Sequence, residues 1–87
     1  MTKKKQAIKN LDLSQELAEY IASNPKAVKN LPKKSTFVVF SSVDKKLNVE
    51  NQKLIDSIVA EGKKVIKAVQ TEDKLNPWKF SPVAYSF

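Results

Sequence analysis

The chain has 87 residues, a length that accommodates one small domain with a thin hydrophobic core. Apolar residues make up 41% of the sequence, as in folded proteins, and no stretch approaches the ~18 apolar residues of a membrane span. Cysteine and histidine are absent, which excludes disulfides and thiolate sites and removes the commonest general base and metal ligand. No apolar segment follows the basic first residues, so no secretory leader is expected. We therefore expect a cytoplasmic protein that is not an enzyme and holds no metal or cofactor.

The N-terminal part of the sequence predicts a flexible basic arm (residues 1–10) ahead of a single small α/β domain (residues 11–87). A helix is expected to begin near Asp12 or Ser14; both residue types cap helix N-termini, and the sequence does not choose between them. Asn24-Pro25 ends this helix and starts a short second one, because the residue before proline is forced out of helical geometry. The apolar face of the first helix consists of Leu13, Leu17, Tyr20 and Ile21.

Residues 36–71 predict one βαβ unit, around which the rest of the chain is organised. Thr36–Ser41 is an unbroken apolar run and Val65–Thr71 is rich in β-branched residues, so both are predicted strands. Between them a helix is expected over residues 44–61, ending at Gly62, the only glycine in the chain. A strand, a helix and a strand within ~35 residues predict two parallel strands joined by a right-handed crossover.

The predicted sheet needs a third strand, and both of its faces need a helix. Phe37–Phe40 is apolar on both faces, so the first helix is expected to cover one face and the second long helix the other. Lys67 interrupts the second strand, which is therefore expected to be partly exposed rather than central. Trp78–Ser81 supplies an antiparallel edge strand, a position at which Pro77 and Pro82 are tolerated. The predicted core-facing residues of the second long helix are Leu47, Asn51, Leu54, Ile55 and Ile58.

The last ten residues hold most of the aromatic side chains, namely Trp78, Phe80, Tyr85 and Phe87. One interpretation is that they anchor a protein partner, since tryptophan and tyrosine dominate interface hot spots. A second is that they stack on the bases of a single-stranded nucleic acid. A third is that these rings complete the thin core of the domain. The sequence leaves all three interpretations open.

Lysine accounts for all 16 basic residues and for the net charge of +7. Excess positive charge attracts polyanions through counterion release, and that attraction weakens as salt is added. Arginine, which makes bidentate contacts to guanine and phosphate, is absent, so sequence-specific readout of nucleic acid is not expected. The candidate residues for weak, nonspecific binding of nucleic acid are Lys33, Lys34, Lys63, Lys64 and Lys67.

Two hydroxyl groups, those of Ser41 and Ser42, follow the first predicted strand and precede the helix after it. Ligands of open α/β sheets bind at the carboxyl ends of parallel strands, and a helix N-terminus favours anions. A weak phosphate site at these serines is therefore one interpretation. The other is that the serines and Asp44 only cap the helix, and the negative charge of Asp44 opposes an anion there.

The segment Asn10–Ile21, followed by Asn24-Pro25 and by Leu31-Pro32 before a strand, resembles a small prokaryotic α/β protein family of unknown function. The shared pattern is a helix with an L-x-x-E-L-A-x-Y face, a proline turn, a strand, a helix rich in asparagine and lysine, and a second strand. The resemblance covers residues 8–70. It implies the same fold and, by analogy, an antitoxin-like or other partner-binding role; it implies no active site.

Together these features predict an α/β protein with a helix, a short helix, a βαβ unit with parallel strands and a C-terminal antiparallel edge strand. The leading functional hypothesis is a non-enzymatic interaction module that binds a protein partner, or a second copy of itself, through the sheet edge and the aromatic tail. The alternative is weak nonspecific binding of nucleic acid through the lysines. Neither a membrane nor a small-molecule ligand is expected as a partner.

Overall fold

The computed structural model describes residues 1–83 and contains, within them, two α-helices, one 3₁₀ helix and three strands. Of the helices in this part of the chain, none combines the length and the apolar character needed to cross a membrane. The elements in chain order are α1 Lys3–Ser23, the 3₁₀ helix Pro25–Val28, β1 Thr36–Phe40, α2 Lys45–Ala60, β2 Val65–Gln70 and β3 Trp78–Val83.

The three strands form one mixed sheet in the order β1-β2-β3. β1 and β2 are parallel, with Thr36 opposite Val65, and α2 connects them. β3 turns back antiparallel to β2, so that Val83 also lies opposite Val65. The predicted α/β architecture, a βαβ unit with a C-terminal antiparallel edge strand, is thereby confirmed. Pro82 lies in the edge strand, where a residue without an N–H group is tolerated.

Each face of the sheet is covered by one of the two long helices, as the unbroken apolar run of β1 predicts. On one face, Leu17 of α1 packs against one residue from each strand in a buried cluster, which comprises Leu17, Val39, Ala68 and Trp78. On the other face, Ile55 of α2 packs into a second cluster, which comprises Val38, Phe40, Ile55 and Val65. Successive residues of a strand point to opposite faces, so the neighbouring Val38 and Val39 belong to different clusters.

The first helix begins well before the expected caps at Asp12 and Ser14, and its first turns lie within residues 1–10, the segment expected to form a flexible basic arm. α1 starts at Lys3, and the Thr2 hydroxyl caps it by accepting the Lys5 N–H at 3.2 Å. The apolar stripe that guided the prediction stops at Leu13 because the core-facing positions one and two turns earlier are the amides Asn10 and Gln6. These amides bind a polar group on α2 instead of entering the apolar core.

Two details of the predicted packing also need correction. β2 is the central strand, although it contains Lys67. The lysine is tolerated there because its half-buried side chain stretches over the Phe40 ring, with Nζ 4.3 Å from the ring centroid. The stem of the lysine thus covers apolar surface while its charge stays near solvent. Leu54, expected in the core, is 39% exposed, because it lies at the margin of α2 beside Ala7 of α1.

Candidate interaction surfaces

The outer edge of β1 is closed by two asparagines of α2. The Thr36 N–H donates to the Lys64 carbonyl on the β2 side, so the main-chain groups of Val39 and Ser41 point away from β2. The Asn48 side chain accepts the Ser41 N–H at 2.7 Å and donates to the Ser41 carbonyl at 2.9 Å, as a neighbouring strand would. The edge is therefore occupied at this end by a side-chain amide.

Asn51 extends this closure and is fully buried. Its Nδ2 donates to the Val39 carbonyl and to the Asn10 Oδ1, both at 2.7 Å. Its Oδ1 accepts from Gln6 Nε2 and from Asn10 Nδ2, both at 3.0 Å. Sequence reasoning placed Asn51 on the core face but did not anticipate its role. The sequence signal that could have indicated this role is a pair of asparagines, Asn48 and Asn51, three residues apart on the helix that follows β1.

The outer edge of β3 has no such cover within residues 1–83. The Thr71 N–H donates to the Pro77 carbonyl, and residues of an antiparallel strand alternate between facing the partner strand and facing away. The main-chain groups of Trp78, Phe80 and Pro82 therefore face outward. Trp78 and Phe80 each present an N–H and a carbonyl there, whereas Pro82 presents only a carbonyl. Within residues 1–83 no strand lies beyond β3, and none of the turn, loop or side-chain hydrogen bonds uses the Trp78 or Phe80 N–H.

The aromatic side chains of β3 serve the core rather than the surface. Trp78 is only 6% exposed and lies in the α1-side cluster. Phe80 is half-buried and meets Phe37 edge-to-face, with ring centroids 6.0 Å apart. For these two residues the core interpretation accounts for the side chains, and only their main chain reaches the sheet edge. Tyr85 and Phe87 lie outside the described residues.

Four of the five candidate lysines converge on one end of the sheet. Lys33 and Lys34 precede β1, and Lys63 and Lys64 precede β2. Because the two strands are parallel, they begin at the same end of the sheet. The segments that lead into them are joined there by a hydrogen bond of 2.9 Å from the Thr36 N–H to the Lys64 carbonyl. All four side chains are exposed, and the Lys63 Nζ lies 3.1 Å from a Glu61 carboxylate oxygen. Lys67 is not part of this group, because it lies mid-strand over a ring of β1.

The two candidate anion-binding serines are used within the fold. The Ser41 hydroxyl accepts the Val43 N–H at 3.1 Å and the Asp44 N–H at 3.0 Å, and the Ser42 hydroxyl donates to Gln70 Oε1 at 3.4 Å. Asp44 then caps α2 by accepting the Leu47 N–H at 3.0 Å. The helix N-terminus is thus supplied with a carboxylate of its own, as the capping interpretation describes.

Asp44 also ties α2 to α1. The Lys9 Nζ lies 2.6 Å from its Oδ2. The hydrogen bond from Lys9 and, after it, the bond from the Leu47 N–H lower the pKa of the Asp44 carboxyl below its ordinary value. The carboxylate is therefore kept charged at the start of α2, where it also complements the helix dipole.

A cleft of about 540 Å³ lies where α1 meets the 3₁₀ helix. Within the described part of the chain, its lining includes Tyr20 and one cationic side chain, Lys26, and no carboxylate. Among residues 1–83, no three carboxylates are grouped so that they could hold a metal ion. The described surface therefore offers strand edges and a lysine cluster as candidate binding surfaces.

Comparison with known proteins identifies a family but no characterised relative. A family model described as "Family of unknown function (DUF5647)" matches residues 5–76, which run from the first turns of α1 to the loop before β3. The predicted resemblance to a family of unknown function is confirmed. No curated protein matches the chain, and no solved structure matches it either.

Proposed function

The chain belongs to DUF5647, a family of unknown function, and we propose that it is a non-enzymatic interaction module that binds an extended segment of a protein partner along the outer edge of β3. The observation that carries this proposal is the difference between the two edges of the sheet. Asn48 and Asn51 close the edge of β1, whereas the outward main chain of β3 makes no hydrogen bond to any of residues 1–83.

Strand addition uses such an edge directly, because an incoming strand pairs with the free main-chain groups. Trp78 and Phe80 offer two donors and two acceptors in register for one short strand. Pro82 offers only an acceptor, which limits pairing to the first part of β3 and protects the edge from unlimited assembly.

Charge beside the edge favours an acidic partner. Lys79 lies opposite Val69 and Lys67 opposite Ser81, so the two lysines are diagonal neighbours on the α2 face of the sheet. Lys79 is exposed, and its charge lies next to the position that an added strand would occupy. We therefore expect the bound segment to carry Asp or Glu on this face.

The test compares Phe80→Pro with Phe80→Ala. Both changes remove the ring, but only proline removes the outward N–H, and at this position it breaks no hydrogen bond to β2. Each variant is used as bait in cell extract, and captured proteins are identified by mass spectrometry. The wild type and Phe80→Ala should capture the same partner, and Phe80→Pro should lose it.

Lys79→Glu provides a second test of strand addition, in which the main chain of β3 is unchanged. It should weaken capture of the same partner, because it opposes an acidic segment. Circular dichroism and thermal melts check that each variant is folded. Equal capture by Phe80→Pro and Phe80→Ala, both folded, would exclude pairing at this edge.

A second candidate function, weak nonspecific binding of nucleic acid, is favoured by the convergence of Lys33, Lys34, Lys63 and Lys64. Each lysine that neutralises a phosphate contributes about −0.7 to −0.9 to the slope of log K against log salt concentration. Replacing all four by glutamine should therefore flatten this slope by about 3, as measured by fluorescence anisotropy with labelled oligonucleotides.

The matched control changes four exposed lysines that lie elsewhere on the fold. Their replacement lowers the net charge equally and should leave most of the slope in place. Equal losses in the two variants would indicate a general charge effect and would contradict a site at the end of the sheet. The control positions are Lys45, Lys46, Lys53 and Lys74.

A further inference from the structure

The outer face of α1 carries a second stripe that the core does not use. It lies opposite Leu13 and Leu17, which pack on the sheet. Ile8 is 53% exposed and Leu11 is 68% exposed. The members of the stripe are all exposed, and the spacing between them alternates between four and three residues. This is the a/d spacing of a helix that packs on another helix. The stripe consists of Lys4, Ile8, Leu11, Gln15, Ala18 and Ala22.

We propose that this stripe is the contact between two copies of the chain, and that the two α1 helices pair antiparallel. An amphipathic surface helix needs one apolar stripe, and α1 has that stripe on its sheet side. A second stripe of the same periodicity fits another helix.

The charge distribution along α1 selects a second copy, in this orientation, as the occupant. All four basic residues lie in its first seven positions, Lys3 to Lys9, and all three acidic residues follow, at Asp12, Glu16 and Glu19. Antiparallel pairing of two copies places the basic half of each helix against the acidic half of the other. Parallel pairing would place like charges side by side.

One register satisfies the apolar and the charged positions together. If the two-fold axis passes between residues 9 and 10, Ile8 of each copy meets Leu11 of the other, so the four exposed apolar side chains form one cluster. The same register aligns Lys4 with Gln15, and it places Lys5 on the same flank as Asp12 of the other copy, two residues or about 3 Å along the helix axis from direct alignment. Each pair occurs twice because the interface is symmetric. Among residues 1–83, neither Lys5 nor Asp12 takes part in an ion pair of its own chain.

This surface is distinct from the edge of β3. The stripe faces away from the sheet, whereas the β3 edge continues the sheet sideways. The dimer therefore does not depend on the proposed strand addition, and each can fail without the other. One cluster of four apolar side chains makes a small interface, so the dimer is expected to be weak and dependent on concentration.

Sedimentation equilibrium across a range of protein concentration tests the contact. The wild type should show a reversible monomer–dimer equilibrium, and Leu11→Glu should remain monomeric, because it inserts a charge into the apolar cluster. Val49→Glu is the matched control, since Val49 is 57% exposed and lies on α2. It should dimerise like the wild type, and so should Phe80→Pro.

A charge exchange tests the orientation and register. Lys5→Glu should weaken the dimer at low salt, because it opposes Asp12 of the other copy. It leaves α1 intact, since an acidic residue in the first turn suits the helix dipole. Adding Asp12→Lys should restore the dimer by reversing both pairs. A wild type that is monomeric at every concentration, a dimer that survives Leu11→Glu, or a double variant without rescue would each overturn the proposal.

Discussion

At the scale of single residues, Asn51 is the polar centre of the fold. Its amide joins β1, α2 and the N-terminal half of α1 through four hydrogen bonds. A buried polar group is costly when it lacks partners, and here both its donors and its acceptor are satisfied. This residue therefore explains why the first turns of α1 are fixed against α2 although they contribute little to the apolar clusters.

Asn51→Ala should lower the free energy of unfolding by about 2–3 kcal/mol, because it leaves the buried Val39 carbonyl without a partner and empties part of the site. Urea denaturation monitored by circular dichroism measures the change. Gln52→Ala is the control on the neighbouring, exposed position and should stay within about 0.5 kcal/mol of the wild type. Similar losses for the two variants would show that helix propensity, rather than the amide network, sets the stability.

Asp44 predicts how stability depends on pH. Because its pKa is lower in the folded chain than in the unfolded chain, its contribution is fully present above the ordinary pKa of 3.8 and is lost as pH falls through the folded pKa. Asp44→Asn keeps a residue that caps helices but removes the charge. The variant should lose less stability than the wild type on acidification below pH ~5.

The measurement is a series of urea unfolding curves recorded from neutral pH down to acidic pH, through the range in which Asp44 is protonated. Some acid dependence should remain in Asp44→Asn, because the Leu75 N–H lowers the pKa of Asp73 by the same kind of hydrogen bond. If the wild type and the variant lose stability equally on acidification, the link between Asp44 and Lys9 does not contribute.

At the scale of elements, the sequence predicts the bounds of helices and strands well where an apolar pattern ends at a residue that breaks regular structure. The run at Phe37–Phe40, the stripe of α2 and the stop at Gly62 each follow from local patterns, and the structure has these elements within one or two residues of the expected bounds. The start of α1 could not be predicted in this way, because Gln6 and Asn10 occupy its inward face. Inward polar residues are recognisable only when their distant partner is known, and that partner is Asn51.

The end of α2 gives a prediction that concerns backbone geometry alone. Gly62 has φ +79°, and its N–H and that of Lys63 bond the carbonyls of Val59 and Ile58, which is the Schellman pattern. A Cβ at Gly62 would meet nothing within 4 Å. Gly62→Ala should therefore cost about 1–2 kcal/mol through conformation rather than collision.

Gly62→Asn should cost less than Gly62→Ala, since asparagine tolerates the left-handed region better. Thermal and urea unfolding of the wild type and the two variants rank their stabilities. A loss in Gly62→Asn as large as in Gly62→Ala would contradict a purely conformational origin and would point to a steric one.

At the scale of the whole molecule, the lysine cluster follows from topology. Once Thr36–Ser41 and Val65–Thr71 are predicted as parallel strands, the residues before them must share one end of the sheet. The burial of Trp78 could not be predicted, because an aromatic residue in an edge strand faces the core or solvent according to the register of that strand. The antiparallel register that places Trp78 opposite Gln70 is set by the hairpin rather than by a local pattern.

Folding thus brings like charges together, which predicts a particular response to salt. Lys33 and Lys64 are far apart in the unfolded chain and lie on adjacent approaches to the sheet in the folded one, so their repulsion opposes folding and is screened by ions. The free energy of unfolding should rise with added sodium chloride, and Lys33→Gln/Lys64→Gln should reduce that rise by about 0.5 kcal/mol. Lys53→Gln/Lys74→Gln removes the same charge from α2 and the β2–β3 loop and should keep most of the rise. Identical salt responses in the two double variants would mean that net charge alone opposes folding, without a local cluster.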